Sequence, residues 1–119
     1  MCWLALKRAA GERLLETPGN PISLGMTLST LVAPGEANDA ERVTFFGSML
    51  FSRCVSGTRT VPLGKSLEVG GITFQGYGAH HDCYPVPYLT AAASLGMTHQ
   101  DVDDFCVRLR KCFADAGRH

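Results

Sequence analysis

The stretch of sequence that decides the fold is FGSMLFSRCVSGTRTVPLG, residues 46–64. Apolar residues recur at helical spacing as far as Cys54, then Ser56-Gly57 breaks the pattern and a β-prone run follows. Arg53 and Arg59 therefore flank a tight turn between a helix and a strand. An arginine at a helix end can stabilise the negative end of the helix dipole, or present its planar guanidinium to a phosphate or a guanine edge. The residues alone leave both roles open.

Two helices are predicted near the start of the chain. The first runs from about Cys2 to Thr17, where a Pro-Gly-Asn-Pro run ends it. Asn20 is typical of an N-cap and Pro21 of a first helical position, so the second helix is predicted to reach about Leu31.

A third helix is predicted to lead into the deciding stretch. Asn38, followed three residues later by Glu41, has the form of a capping box. The helix should therefore begin near Asp39 and end at about Cys54.

The second half of the chain changes to a strand pattern. Residues 58–62 and 67–75 are rich in β-branched and aromatic side chains, and Gly64-Lys65-Ser66 between them is predicted to be a hairpin turn. Residues 88–95 fit either a strand or the end of a short helix, because alanines dilute the pattern.

A final helix closes the chain. Thr98 as the cap and Asp101 at the third helical position predict a helix from His99 to about Phe113. Its carboxylates come early and its arginines and lysine late, as the helix dipole favours. Three helices, a small sheet and a closing helix in 119 residues predict one α+β domain.

Several runs in one order carry a family resemblance. They are ERLLETPGNPISL (12–24), GSMLF (47–51), VPLG (61–64), Tyr84-Pro85, Tyr88-Leu89, QDVD (100–103) and Arg108-Leu109. Together they resemble O-phosphoseryl-tRNA(Sec):selenocysteinyl-tRNA synthase, also called selenocysteine synthase. The chain departs from the family pattern in the loop 33–40, at Thr58 and Thr60 beside Arg59, and after Phe113.

The resemblance implies both a fold and a role. Residues 1–119 would be the small C-terminal domain of a fold-type-I pyridoxal-phosphate enzyme, with helices packed on a small, mainly antiparallel sheet and the large cofactor-binding domain absent. The family's complete homotetramer converts O-phosphoseryl-tRNA(Sec) to selenocysteinyl-tRNA(Sec) with selenophosphate. By resemblance, Arg53 matches a contact to the unpaired end of the tRNA acceptor arm. By the same resemblance, Arg118 lies near the sequence position where the family keeps a basic residue that holds the acceptor arm.

The chain lacks the residues that pyridoxal-phosphate chemistry needs. A Schiff-base lysine and donors for the cofactor phosphate are required, yet none of the three lysines, Lys7, Lys65 and Lys111, lies in surroundings that resemble the family motif. We therefore expect this chain alone to be catalytically inactive and to bind no pyridoxal phosphate. We also expect Met1 to mark a truncated version of a longer protein or a partial gene model.

Other motifs are weaker. His80-His81-Asp82-Cys83 offers metal-ligand chemistry, but four consecutive residues converge poorly on one ion, so we expect no metal there and a hydrogen-bonded or solvated loop instead. The glycines around Gly76 and Gly78 lack the spacing of a dinucleotide-binding loop. No nucleophile-elbow pattern supports a hydrolase triad.

Composition sets the remaining bounds. A net charge of zero argues against sequence-blind binding of nucleic acid by an overall field. The five cysteines are odd in number and scattered, which predicts free thiols and a cytosolic protein. No run resembles a secretion signal or a membrane span.

Two rival interpretations remain on the residues alone. One is the small domain of another fold-type-I enzyme with no tRNA role, and the other is a free-standing interaction module. The GSMLF and NPIS runs favour the selenocysteine synthase resemblance over the first rival.

Overall fold

An antiparallel sheet and two α-helices organise the domain. The computed structural model describes residues 11–34, 36, 39–79, 81 and 83–117. Its elements are β1 (Leu14–Leu15), β2 (Ser23–Thr27), a 3-10 helix (Ser29–Leu31), α1 (Ala40–Ser52), β3 (Thr58–Val61), β4 (Ser66–Val69), β5 (Ile72–Gln75), β6 (Tyr88–Ala92) and α2 (His99–Ala116). The predicted α+β class is confirmed.

The main sheet has the strand order β1-β2-β6-β3, with every neighbouring pair antiparallel. Met26 on β2 pairs with Leu89 on β6, and Thr60 on β3 pairs with the same leucine. Side chains alternate between the two faces of a strand, so this register assigns Met26 and Leu89 to one face. Both are fully buried there.

The core lies between that face and the two helices. Val43, Phe46 and Leu50 of α1 are buried with Leu109 and Phe113 of α2. The Phe46 and Phe113 rings lie 4.8 Å apart between centroids. Gly47 allows α1 to approach β3, because a Cβ added there would lie 2.8 Å from Thr60 Oγ1.

The two helices predicted before residue 31 are wrong where the structure describes them. Residues 1–10 lie outside the described part of the chain, but Leu14–Leu15 is a strand, and β2 replaces the second helix. Asn20 Oδ1 accepts hydrogen bonds from the Ile22 and Ser23 backbone N–H groups, as an N-cap does. Here the same bonds close a turn, because the following residues pair with β6 instead of coiling.

The third and fourth predicted helices are confirmed. Thr98 accepts from the Asp101 N–H while the Asp101 carboxylate accepts from the Thr98 N–H, so the capping box begins α2 as predicted. The cap of α1 is Asp39, whose side chain accepts from the Arg42 N–H. The proposed cap Asn38 lies outside the described residues.

The second half forms two sheets instead of one. The hairpin turn is at Gly70-Gly71, between β4 and β5, and not at Gly64-Lys65-Ser66 as predicted. Both turn glycines have positive φ, 59° and 79°, which the tight two-residue turn requires. Residues 64–65 instead connect the main sheet to this hairpin, and the open choice at residues 88–95 resolves as strand β6.

The cysteines only partly follow the prediction. Cys54, Cys83 and Cys112 are free thiols, whereas Cys106 is disulfide-bonded. The expectation of free thiols is therefore wrong for Cys106, and the cytosolic location inferred from it stays a prediction. Within the described residues, neither helix combines the length and the apolar character that a membrane crossing requires.

Candidate functional site

Arg53 lies at the C-cap of α1, in a Schellman turn. The Val55 N–H bonds the Leu50 carbonyl at 2.9 Å and the Cys54 N–H bonds the Phe51 carbonyl at 3.0 Å. Cys54 occupies the left-handed position of this motif with a φ of 57°, a position that usually holds glycine. Buried Val55 anchors the chain just after the turn, so the backbone that carries Arg53 is fixed on both sides.

Two described contacts orient the Arg53 guanidinium. Nη2 forms an ion pair with Asp115 Oδ2 of α2 at 2.8 Å, and Nη1 donates to the Met49 carbonyl at 3.3 Å. Both charged side chains are 36% exposed. A guanidinium has five N–H donors, so these two bonds hold the group in one direction without using all of its donors.

Two other arginines donate hydrogen bonds to carbonyls at the C-terminal ends of the helices. Arg108 of α2 donates to the Cys54 carbonyl at 3.0 Å, and Arg42 of α1 donates to the Ala116 carbonyl at 2.8 Å. Each cation therefore meets the negative end of the partner helix. The prediction that Arg108 complements its own helix dipole is corrected, because Arg108 stabilises the end of α1. The sequence offered no signal for Asp115 or Arg42, whose partners are 62 and 74 residues away.

Two described groups have shifted pKa values: the Cys112 thiol, which lies near Arg53, and the Asp101 carboxyl at the start of α2. Burial raises the pKa of the Cys112 thiol, against the lowering effect of Arg53 and with a further raising effect from Asp115. Its Sγ contacts the Met49 carbonyl at 3.9 Å. The buried thiol is thus held in its protonated form and is a poor nucleophile. At the start of α2, hydrogen bonds from Thr98 lower the pKa of the exposed Asp101 carboxyl.

The structure describes only part of the remaining predicted residues, which are Arg118 and the loop motif at residues 80–83. Arg118 and two members of the loop motif, His80 and Asp82, lie outside the described residues. His81 Nδ1 accepts from the Cys83 N–H at 3.1 Å, which agrees with a hydrogen-bonded loop. The described residues contain no group of three metal-ligating side chains, and the absence of a metal stays a prediction.

Arg59 lies apart from Arg53, on the sheet face away from the core. It pairs with Thr90 of β6 and lines a cleft of about 820 Å³. The Arg59 guanidinium lies against Gly78, because a Cβ added to Gly78 would stand 2.8 Å from its Nη2. Tyr84 and Tyr88, in edge contact at 4.9 Å, line the same cleft.

The described residues do not fit a pyridoxal-phosphate site. Lys65 is exposed in the connection to β4, and Lys111 is exposed on α2. An internal aldimine lysine is instead held in a shaped cavity against the cofactor ring, with an acidic partner for the ring nitrogen. Neither described lysine therefore fits the aldimine position, and Lys7 lies outside the described residues.

Comparison with known proteins identifies the family. The model of the family described as O-phosphoseryl-tRNA(Sec) selenium transferase, SepSecS, matches residues 4–114. This chain belongs to the O-phosphoseryl-tRNA(Sec) selenium transferase family. The resemblance inferred from the sequence runs is confirmed. The match includes the α1–β3 turn that carries Arg53, whereas Asp115, its ion-pair partner on α2, lies just beyond the matched residues.

Curated relatives agree. The O-phosphoseryl-tRNA(Sec) selenium transferase of Dictyostelium discoideum is 38% identical over 113 residues, covering 86% of this chain and 24% of that protein. Those of Caenorhabditis elegans and Leishmania donovani are 34% and 31% identical, covering 87% and 78% of this chain and 20% and 19% of their own lengths. The chain thus spans about a fifth to a quarter of the length of the curated relatives that it matches.

Proposed function

We propose that this chain is the C-terminal, tRNA-recognition domain of an O-phosphoseryl-tRNA(Sec) selenium transferase. The full-length homotetramer would act in the cytoplasm, converting O-phosphoseryl-tRNA(Sec) to selenocysteinyl-tRNA(Sec) with selenophosphate as the selenium donor. Pyridoxal phosphate would be held by the large domain and would supply the electron sink for loss of phosphate from the seryl group. This chain would contribute recognition of the acceptor arm and no chemistry.

The observation that carries the proposal is the fixed, partly exposed guanidinium of Arg53. Packing holds its backbone at the Schellman turn, and Asp115 and Met49 hold its side chain. A preorganised arginine loses little entropy on binding and can donate two parallel hydrogen bonds to a guanine edge. Arg118 would add a contact to the acceptor-arm backbone.

A binding experiment with the 119-residue chain tests the Arg53 contact. Fluorescence anisotropy would measure its affinity for a tRNA(Sec) acceptor-arm hairpin and for the same hairpin with the unpaired base next to the stem changed. A bidentate base contact is worth about 1–3 kcal/mol, so the base change should weaken wild-type binding roughly tenfold. Arg53→Ala should bind both hairpins with the same reduced affinity. Arg53→Lys should recover little, because an ammonium lacks the planar fork.

Arg110→Ala is the matched control, because it removes an equal charge from an exposed position on α2. It should lower affinity for both hairpins equally and keep the discrimination between them. If Arg53→Ala still discriminates between the two RNA hairpins as the wild type does, Arg53 is only a helix-end charge and the proposed recognition role is wrong.

A further inference from the structure

The hairpin of β4 and β5 stands apart from the main sheet. Its two strands pair with each other and form a separate two-stranded sheet. All eight strand residues are exposed. An isolated two-stranded hairpin is at best marginally stable in water and gains stability when its apolar face packs on another element. The hairpin therefore has the properties of an element that packs against another protein surface.

The register makes one face of the hairpin wholly apolar. Leu67 pairs with Phe74 and Val69 pairs with Ile72, so the four share a face on which they are 38%, 47%, 55% and 61% exposed respectively. The opposite face carries the pairs Ser66 with Gln75 and Glu68 with Thr73. Hydrophobic and polar residues alternate along both strands, as in a strand that is buried on one side only.

The size of this apolar face indicates which kind of surface covers it. Four side chains that are about half exposed, each with at most roughly 200 Å² to offer, present on the order of 400 Å². A stable interface between separate molecules buries about 800 Å² on each partner. The hairpin alone is too small to hold two free copies together. It is large enough for docking within one polypeptide, where the effective concentration reaches the millimolar range.

We infer that the apolar face of the β4–β5 hairpin docks onto the remainder of the same transferase polypeptide. This inference rests on the proposed function. The matched region is 24% of the Dictyostelium relative and 20% of the Caenorhabditis elegans relative, so most of each relative lies outside it. The occupant is an apolar, uncharged surface of that remainder, because the docking face itself carries no charge.

Two aspartate variants of adjacent residues test the inference. Ile72→Asp places a charge on the apolar face, and Thr73→Asp places the same charge on the polar face of the same strand. Hydrogen exchange and thermal unfolding would be compared in the 119-residue chain and in the full-length transferase that carries it. In the full-length protein, amides 66–75 should exchange about tenfold or more slowly than in the chain alone.

Ile72→Asp should abolish this protection and lower the melting temperature of the full-length protein, whereas Thr73→Asp should do neither. In the 119-residue chain the two variants should behave alike. Equal effects of both variants in the full-length protein would overturn the inference, and so would a concentration-dependent dimer of the chain that Ile72→Asp dissociates in sedimentation. The proposed function is tested separately, because the Arg53 experiment measures binding of an RNA acceptor-arm hairpin and needs no full-length protein.

Discussion

At the scale of single residues, Glu12 shows how one side chain redirects a segment. Glu12 is 3% exposed, and its carboxylate accepts hydrogen bonds from the hydroxyls of Thr27 and Thr30 at 2.5 Å each. It also accepts from the backbone N–H groups of Ser29 and Thr30 at 3.0 and 2.7 Å. These N–H groups at the start of the 3-10 helix have no acceptor within the helix. Glu12, distant in sequence, supplies the acceptor that a local capping residue usually provides.

Glu12→Gln should therefore destabilise the domain strongly. The amide offers one acceptor oxygen and turns an NH₂ group toward donors, so the buried Thr27 hydroxyl or the part-buried donors of Ser29 and Thr30 lose a partner. Each such loss costs about 1–3 kcal/mol, so we expect a decrease of roughly 2 kcal/mol or more in the free energy of unfolding in urea. Glu16→Gln, at an exposed position, is the control and should change stability by less than about 0.5 kcal/mol. Equal effects of the two substitutions would contradict this role for Glu12.

At the scale of elements, the end of α1 holds a local strain that can be relieved. Cys54 adopts a left-handed conformation at a position where a side chain costs about 1–2 kcal/mol. Cys54→Gly should remove that cost, partly offset by the greater freedom of glycine in the unfolded chain. We expect a net gain of roughly 0.5 kcal/mol and a rise of about 2 °C in melting temperature.

Cys54→Ser separates backbone strain from thiol chemistry. Serine removes the exposed thiol but keeps a Cβ in the same conformation, so its melting temperature should match that of the wild type. If glycine fails to exceed serine in calorimetry, the turn is not strained at this residue.

The elements also show what the sequence could predict. Local signals predicted the starts of both long helices. Thr98 with Asp101 caps α2 as predicted, whereas Asn38 with Glu41 predicted the start of α1 within one residue of its observed cap, Asp39. The β2 segment was misjudged because Asn20-Pro21 signals a helix start, whereas pairing with β6 decides the outcome. Gly25 permits close approach of β1 to β2, since a Cβ there would lie 3.1 Å from Leu15 Cδ1 of the neighbouring strand.

The candidate site likewise has features that the sequence predicts and features that depend on tertiary packing. The sequence predicted Arg53 at a helix end and the turn after it, because both depend on local spacing. It could not predict the ion pair with Asp115 or the contact of Arg108 with the Cys54 carbonyl, because these depend on how α2 packs across α1. The hairpin residues were recognised as β-prone, but only the register at Gly70-Gly71 showed that their apolar members share one face.

At the scale of the whole molecule, the two proposed surfaces belong to different parts of the fold. The described partners of Arg53 lie on α1 and α2, while the docking face lies on a hairpin that pairs only with itself. Sites that share no partner usually contribute independently, within about 0.5 kcal/mol. RNA recognition and docking should therefore be separable by mutation.

The double variant Arg53→Ala/Ile72→Asp measures that independence in the full-length transferase. Ile72→Asp alone should leave discrimination between the two acceptor-arm hairpins within about twofold of wild type, since 0.5 kcal/mol corresponds to roughly that ratio. Arg53→Ala alone should leave hydrogen-exchange protection of amides 66–75 unchanged. The double variant should then show both defects at the size of the single ones. A loss of base discrimination in Ile72→Asp that Thr73→Asp does not share would mean that docking of the hairpin sets the position of Arg53. In that case the domain would read the tRNA only when seated on the rest of the enzyme.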